Sequence, residues 1–365
     1  MRKKDNISSI YIHIPFCKNI CSYCDFCKFY YNENLVNKYL NSLEAEIKDK
    51  YNNEIIETIY IGGGTPSMLT IKELERLFSI LKCIKTSNNL EFTIECNVED
   101  ISLDKLLLFK ENKINRLSIG VQSFQDRILL YLDRKYNKDL IINNINLAKK
   151  YFNNINVDLI YAVIDENISE LKNDLELFIS LNVPHISTYS LIIENNTKLK
   201  INKIDYIDEE IDRKMYDLIC NKLKENDYIH YEISNFSKSG YESKHNLTYW
   251  KNQKYYGFGL GASGYIENYR YTNTKNINKY LNSEYLYEKE LITNELDASN
   301  YAMLGLRTIY GVDKNKFKEL FGIDFIEYFK VKQLILDNIL LENNSSYYIN
   351  PDYWYVLNEI LIKFI

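Results

Sequence analysis

A strand-length run, Ser9–Ile14, ends at Pro15 and is followed at once by three cysteines spaced C-x3-C-x2-C: Cys17, Cys21 and Cys24. No other feature constrains the fold as much, because three thiols on one short loop invite a shared centre, and that loop hangs from the end of a strand. Three thiolates suit three irons of a [4Fe–4S] cube and leave the fourth iron open to chelate a small ligand and pass it an electron. Structural zinc usually needs four ligands in two knuckles, and no further C-x2-C or H-x3-H lies downstream. A chance group of buried thiols is the other alternative. Cys27 is open between a fourth ligand and a bystander, and reads better as a bystander. Cys83, Cys96 and Cys220 read as small packing residues.

Beyond the loop, the first two-thirds of the chain alternates β and α. Apolar runs predict strands over Ile10–Ile14, Thr58–Ile61, Glu91–Cys96, Arg116–Val121, Ile155–Val163 and Ile186–Ile193. Helical periodicity covers Leu35–Lys50, Lys72–Ile84 and Leu103–Phe109, and Thr70 with Glu73 forms a capping-box pair. Repeated βα units imply an α/β fold with a parallel sheet, open or curled into a partial (β/α) barrel. Reading as runs, the strands are expected to be buried on both faces, and ligands to gather beyond their carboxyl ends. We divide the chain into a core, 1–240, an extension with a linker, 241–290, and a small, mainly helical C-terminal domain, 291–365; the linker itself is expected somewhere between 270 and 295. The Gly/Tyr-rich stretch from Tyr255 reads as hairpin or loop, and Leu340–Asn350 as a hairpin.

Seven cysteines, an odd number with four clustered, speak against a disulfide framework and for a reducing, cytoplasmic setting. A formal net charge of −5 leaves no basic footprint for nucleic acid. No 18-residue apolar run is present to form a transmembrane segment, and no h-region of signal-peptide type follows MRKKDNISS.

Three further features carry chemistry. Ile61-Gly62-Gly63-Gly64-Thr65-Pro66-Ser67 follows a strand and precedes a capped helix; it lets backbone approach a ligand, or is simply a tight βα turn. Glu95 ends a strand, where a carboxylate holds ribose hydroxyls or is merely solvated. Gln122 and Asp158 occupy similar positions on the next strands. Three such residues on successive strands beside a cysteine triplet imply one shared pocket.

The ordered motifs YIHIPFC-x3-C-x2-CDF, YIGGGTPS, FTIECN, RLSIGVQSFQD, VDLIY, HISTYSLIIE, YEISNF and HNLTYW, with LGLRTIYGVD near the end, resemble the radical S-adenosylmethionine (SAM) family. Within it they resemble the branch of oxygen-independent coproporphyrinogen oxidase and the HemW haem chaperones, from about residue 9 to the C-terminus. The resemblance implies that Cys17, Cys21 and Cys24 hold the [4Fe–4S] cluster. It places Tyr11 and Tyr23 at the adenosine, and Gly63, Gly64 and Thr65 at the methionine amino group. Glu95 falls at the ribose, and Gln122, Arg134 and Asp158 complete the SAM pocket. It leaves catalytic residues unassigned.

The cysteine spacing with CDF, the short segment before Cys17 and the HNxxYW pattern at His245–Trp250 favour the chaperones over the oxidase. That branch implies His245 as a haem ligand, haem as cargo, haem-accepting proteins and an electron donor as partners, and a homodimer as an option. A radical SAM oxidase acting on a porphyrinogen, or a related methyltransferase, is the alternative. The sequence departs from the branch at GLPGQT, here Ala162–Asn167, at LGR-x-H, here Leu132–Tyr136, and at Glu-Ala-Asn-Pro, here Glu95–Val98. Loss of the first loop's Gly and Pro is expected to reshape it.

Overall fold

The computed structural model describes residues 7–202, 204 and 206–365. Strands Ser9–Ile14, Ile56–Gly63, Thr86–Asn97, Arg116–Gln122, Asn154–Tyr161 and His185–Ser190 lie side by side in chain order, all parallel. Tyr255–Phe258 adds a seventh parallel strand beside Ser9–Ile14. Antiparallel strands extend both edges into one open sheet of 12 strands, the sheet of a partial barrel with its helices outside.

Helices Glu33–Lys50 and Ile71–Leu81 begin at side-chain caps, Asn32 and the Thr70–Glu73 capping box, which pair N–H groups the first turn leaves free. Their apolar faces, Leu40, Leu43 and Ile47 on one and Leu74, Leu77 and Phe78 on the other, bury against the sheet.

The burial of the strands agrees with the sequence expectation, and the two faces differ in kind. They are covered on both faces, yet only one face is apolar. Ile94, Leu117, Ile119, Val157 and Ile186 point to the helices and are fully buried. The alternate residues, Thr93, Arg116, Ser118, Asn156, His185 and Ser187, turn to the barrel interior and are buried there too. Side chains two apart share a face, and the register aligns Glu95, Ser118, Asn156 and His185 across neighbouring strands. A polar interior of this kind has to be paired internally or filled by a ligand.

Between residues 270 and 295, where the sequence suggests a linker, Tyr269–Asn273 pairs with Leu286–Leu291 as the edge of the large sheet. The segment looked irregular because Leu286–Leu291 is exposed throughout and has no buried apolar face to mark it. Residues 298–364 gather a second core around Phe317, Phe325, Trp354 and Phe364, with a three-stranded sheet that includes the Leu340–Ile349 hairpin. This part is stitched to the first by Ile233 N–H on the Arg307 carbonyl (3.1 Å) and Ile309 N–H on the Tyr231 carbonyl (3.1 Å).

In the loops that depart from the family pattern, three residues have positive φ. Ala162 (φ 59°), Asp165 (φ 60°) and Asp133 (φ 58°) stand where glycines are usual, and all three hold left-handed conformations. These substitutions place side chains where the backbone conformation favours glycine. Alanine bears the penalty with no compensating side-chain hydrogen bond, about 1–2 kcal/mol. Ala162→Gly is expected to raise stability by about 1 kcal/mol after allowing for the freer unfolded chain; urea unfolding measures it.

Candidate functional site

The cysteine loop is closed at its base. Phe16–Cys17 pairs with Phe29–Tyr30, Phe29 N–H reaches the Pro15 carbonyl (2.6 Å) and Tyr31 N–H the Cys17 carbonyl (3.0 Å). The loop covers the carboxyl ends of the strands, and beneath it a cavity of about 390 Å³ runs down the barrel interior. Cys17, Cys21 and Cys24 all line it, with Tyr23, Gly63, Gly64, Thr65, Glu95, Gln122, Arg134 and Asp158.

Burial pushes the Cys17 thiol up to about 11 and raises Cys24 as well, the nearby Lys28 ammonium opposing part of that shift. Such thiols stay protonated until a metal takes them as thiolates. Among the described residues no group of three or more His, Cys, Asp or Glu converges closely enough for a single metal ion. A cube is a wider object in which each iron takes its own thiolate, and three thiols around one cavity suit it. Cys27 is not part of the cavity wall. Its carbonyl meets His13 Nε2 (2.7 Å), and its side chain packs at Gly261.

The glycines are there to let backbone pass closely. Gly63 has φ +117°, and a Cβ on it would lie 2.6 Å from the His13 ring. A Cβ on Gly64 would lie 2.6 Å from the Phe16 carbonyl oxygen and 3.0 Å from Cys17 Sγ. A line of contacts then runs from the cysteines across the strand ends. Thr65 Oγ1 donates to Cys17 Sγ (3.7 Å), Asn97 Nδ2 to Thr65 Oγ1 (3.4 Å), and the Arg134 guanidinium to Asn97 Oδ1 (2.8 Å) and the Tyr23 hydroxyl (2.7 Å).

Glu95 accepts from the Tyr60 hydroxyl (2.9 Å) and Gly63 N–H (3.0 Å). Burial lifts its carboxyl to about 7, the two hydrogen bonds opposing, so near neutrality it can either donate to or accept from a ligand hydroxyl. Asp158 is raised by burial and accepts from Asn156 Nδ2 (2.7 Å). Gln122 sits at a bulge with φ 73°, which ends its strand and turns the chain at the cavity.

Two residues singled out from the sequence do not line the cavity. Tyr11 donates to or accepts from His13 Nδ1 (2.9 Å) and stacks on Tyr60 at 6.2 Å, one ring removed from Glu95. His245 is 1% exposed, with Nδ1 on Thr58 Oγ1 (2.9 Å) and Nε2 on the Tyr249 hydroxyl (2.7 Å). Burial drops its imidazole to about 3, so it is neutral, and in this arrangement neither ring nitrogen is free for an iron. Its neighbour Asn246 does line the cavity. Asn97, Tyr60, Ser118, Asn156 and Ser187 line it too and were not selected from the sequence. For Asn97, Ser118 and Asn156 the signal was the polar residue at every second position of FTIECN, RLSIGVQ and NVDLIY.

A barrel of parallel strands with three thiols over its carboxyl end defines the class. The radical SAM superfamily model matches residues 11–178. The haem chaperone HemW of Lactococcus lactis is 35% identical, with 100% of this chain and 98% of that protein covered. The HemW of Bacillus subtilis is also 35% identical, over 98% and 99%. Coproporphyrinogen III oxidase (HemN) of Escherichia coli superposes with a TM-score of 0.87 over 100% of this chain and 91% of that one; at 20% identity it speaks to the fold alone. The chain belongs to the HemW haem-chaperone family of the radical SAM superfamily. Among the described residues no helix is long and apolar enough to cross a membrane.

Proposed function

We propose that this protein is a haem chaperone, which binds haem and delivers it to haem-requiring proteins in the cytoplasm. The observation that carries the reading is the convergence of Cys17, Cys21 and Cys24 with Glu95, Gln122, Arg134 and Asp158 on one cavity, in a chain whose full-length relatives are named for that activity.

Cys17, Cys21 and Cys24 hold the [4Fe–4S] cluster, and Cys27 stays outside it. Bound there, the cluster supplies an open iron for the amino and carboxylate groups of SAM and a source of one electron. Gly63, Gly64 and Thr65 offer close backbone to the methionine end, and Glu95 holds the ribose. Gln122, Arg134 and Asp158 close the pocket, with Tyr23 fixed by Arg134 and Tyr11 backing Tyr60. An external electron donor would reach the cluster through the exposed loop, where Phe26 is 64% exposed. Binding of SAM at the cluster gates haem transfer or dimerisation.

Anaerobically reconstituted protein titrated with haemin is expected to show a shifted Soret band and a stoichiometric end point. The bound haem should pass to an apo-acceptor faster, or slower, when SAM is present. The absence of a Soret shift in cluster-loaded protein would remove the chaperone reading.

A further inference from the structure

One line of hydrogen bonds in the cavity runs in a direction that its donors and acceptors settle by themselves. It starts at Arg134, whose guanidinium can only donate. Asn97 Oδ1 therefore faces it as acceptor (2.8 Å), and Asn97 Nδ2 is turned to Thr65 Oγ1 (3.4 Å). An amide nitrogen also can only donate, so the Thr65 oxygen accepts there. The single hydroxyl hydrogen of Thr65 is then left for Cys17 Sγ (3.7 Å). Reversing Asn97 would set its NH2 against the guanidinium, and reversing Thr65 would set its O–H against the amide.

Each member is held in place. Asn97 ends strand Thr86–Asn97, and its own N–H meets Ser67 Oγ (3.1 Å), which donates in turn to Asp100 (3.1 Å). Thr65 is buried, and its N–H reaches the carbonyl of Phe16, the residue before Cys17 (2.8 Å). On its other side Arg134 donates to Tyr23, between Cys21 and Cys24 (2.7 Å), so the guanidinium ties the relay to the cysteine loop. Arg134 Nε is buried without a hydrogen-bond partner, a donor still open to a ligand of the cavity that Arg134 lines.

We infer that Asn97 is a positioning residue for electron entry into the cluster: it fixes the Thr65 hydroxyl as a donor to the Cys17 sulfur and so raises the potential at which the cluster is reduced. Reduction adds negative charge, and a hydrogen bond to a ligand sulfur stabilises that charge; such bonds are among the factors that set the potential of an iron–sulfur centre. Asn97 acts through Thr65 and not on the iron. An acceptor bound at Arg134 Nε would be felt at Cys17 through the same relay. The inference rests on Cys17 being a cluster ligand and adds what tunes the cluster that it holds.

The test is a potentiometric titration of the full-length, cluster-loaded protein with titanium(III) citrate, read by visible absorbance and by EPR of the reduced state. It is run without SAM, so that contacts of Thr65 with the nucleotide do not enter. Asn97→Leu is close in size, adds no charge and frees the Thr65 hydroxyl to turn; Thr65→Val removes the hydroxyl and Thr65→Ser keeps it. Asn97→Leu and Thr65→Val are each expected to shift the reduction equilibrium about tenfold toward the oxidised cluster, about 59 mV lower for one electron. Thr65→Ser should stay within about twofold of wild type, about 18 mV by the same constant. Added to Thr65→Val, Asn97→Leu should lower the potential no further, because both changes remove one and the same hydrogen bond. A wild-type potential in Asn97→Leu, or an equal drop whether or not Thr65 is present, would overturn the relay and leave the ligand assignment standing. Should Thr65→Val take up too little cluster to titrate, Asn97→Leu against wild type decides alone. Wild-type protein that takes up no cluster overturns the ligand assignment and the relay together.

Discussion

Cys17→Ala, Cys21→Ala and Cys24→Ala each abolish cluster assembly, whereas Cys27→Ala assembles a cluster with wild-type iron and sulfide content. The first three thiols border the same cavity and the fourth does not. With one thiolate gone, a cube would rest on two sulfurs and expose a second iron, which leaves it open to dissolution. Each of the three variants should also lose SAM binding, because the open iron goes with the cube. Anaerobic reconstitution followed by iron and sulfide analysis measures the outcome. Full cluster content in any of the three, or its loss in Cys27→Ala, would sink the ligand assignment.

Gly64→Ala is the second large effect, and it acts without touching a thiol. The new methyl would sit 2.6 Å from the Phe16 carbonyl oxygen and 2.8 Å from Phe16 nitrogen, both backbone atoms that no rotamer change can move. The Cys17 strand end must shift, carrying Cys17 away from Thr65. Overpacking of this kind costs about 1–3 kcal/mol, so the protein should remain folded and melt at a lower temperature. The cluster should assemble poorly, with Cys17, Cys21 and Cys24 all still present. Thermal melting read beside iron content separates the two effects. Cluster content equal to wild type would show that the close approach of Gly64 to Phe16 is not required.

Much of this was legible in the sequence. The six core strands fall where short apolar runs mark them, because a strand packed under helices needs Ile, Leu or Val at every second position whatever its ligand. The capping box at Thr70 was readable because a cap is a local hydrogen bond between residues three apart. The cysteine loop, the glycine turn and Glu95 were readable because each combines an unusual residue with a strand end.

What escaped was non-local. The inner polar face was mistaken for part of apolar runs, since Thr93, Ser118 and Asn156 each look unremarkable within their own strand. Only the register that lays them side by side makes a pocket wall. The edge strand Leu286–Leu291 is exposed along its length and is held in the sheet by pairing with Tyr269–Asn273. Nor does HNLTYW say which face of its helix looks where. Burial turns His245 inward to Thr58 and Tyr249 and leaves Asn246 on the cavity.

Local sequence was enough for the positions of the six core strands, the three thiols and the glycine turn that carries backbone up to them, because those depend on neighbours in the chain. The tertiary structure puts Cys27 outside the cavity wall, as the sequence already suggested, and it alone decides which polar residues share the cavity and which way the His245 helix faces. Those are matters of distance between segments far apart in sequence, fixed only when the strands take their register and the core closes around them.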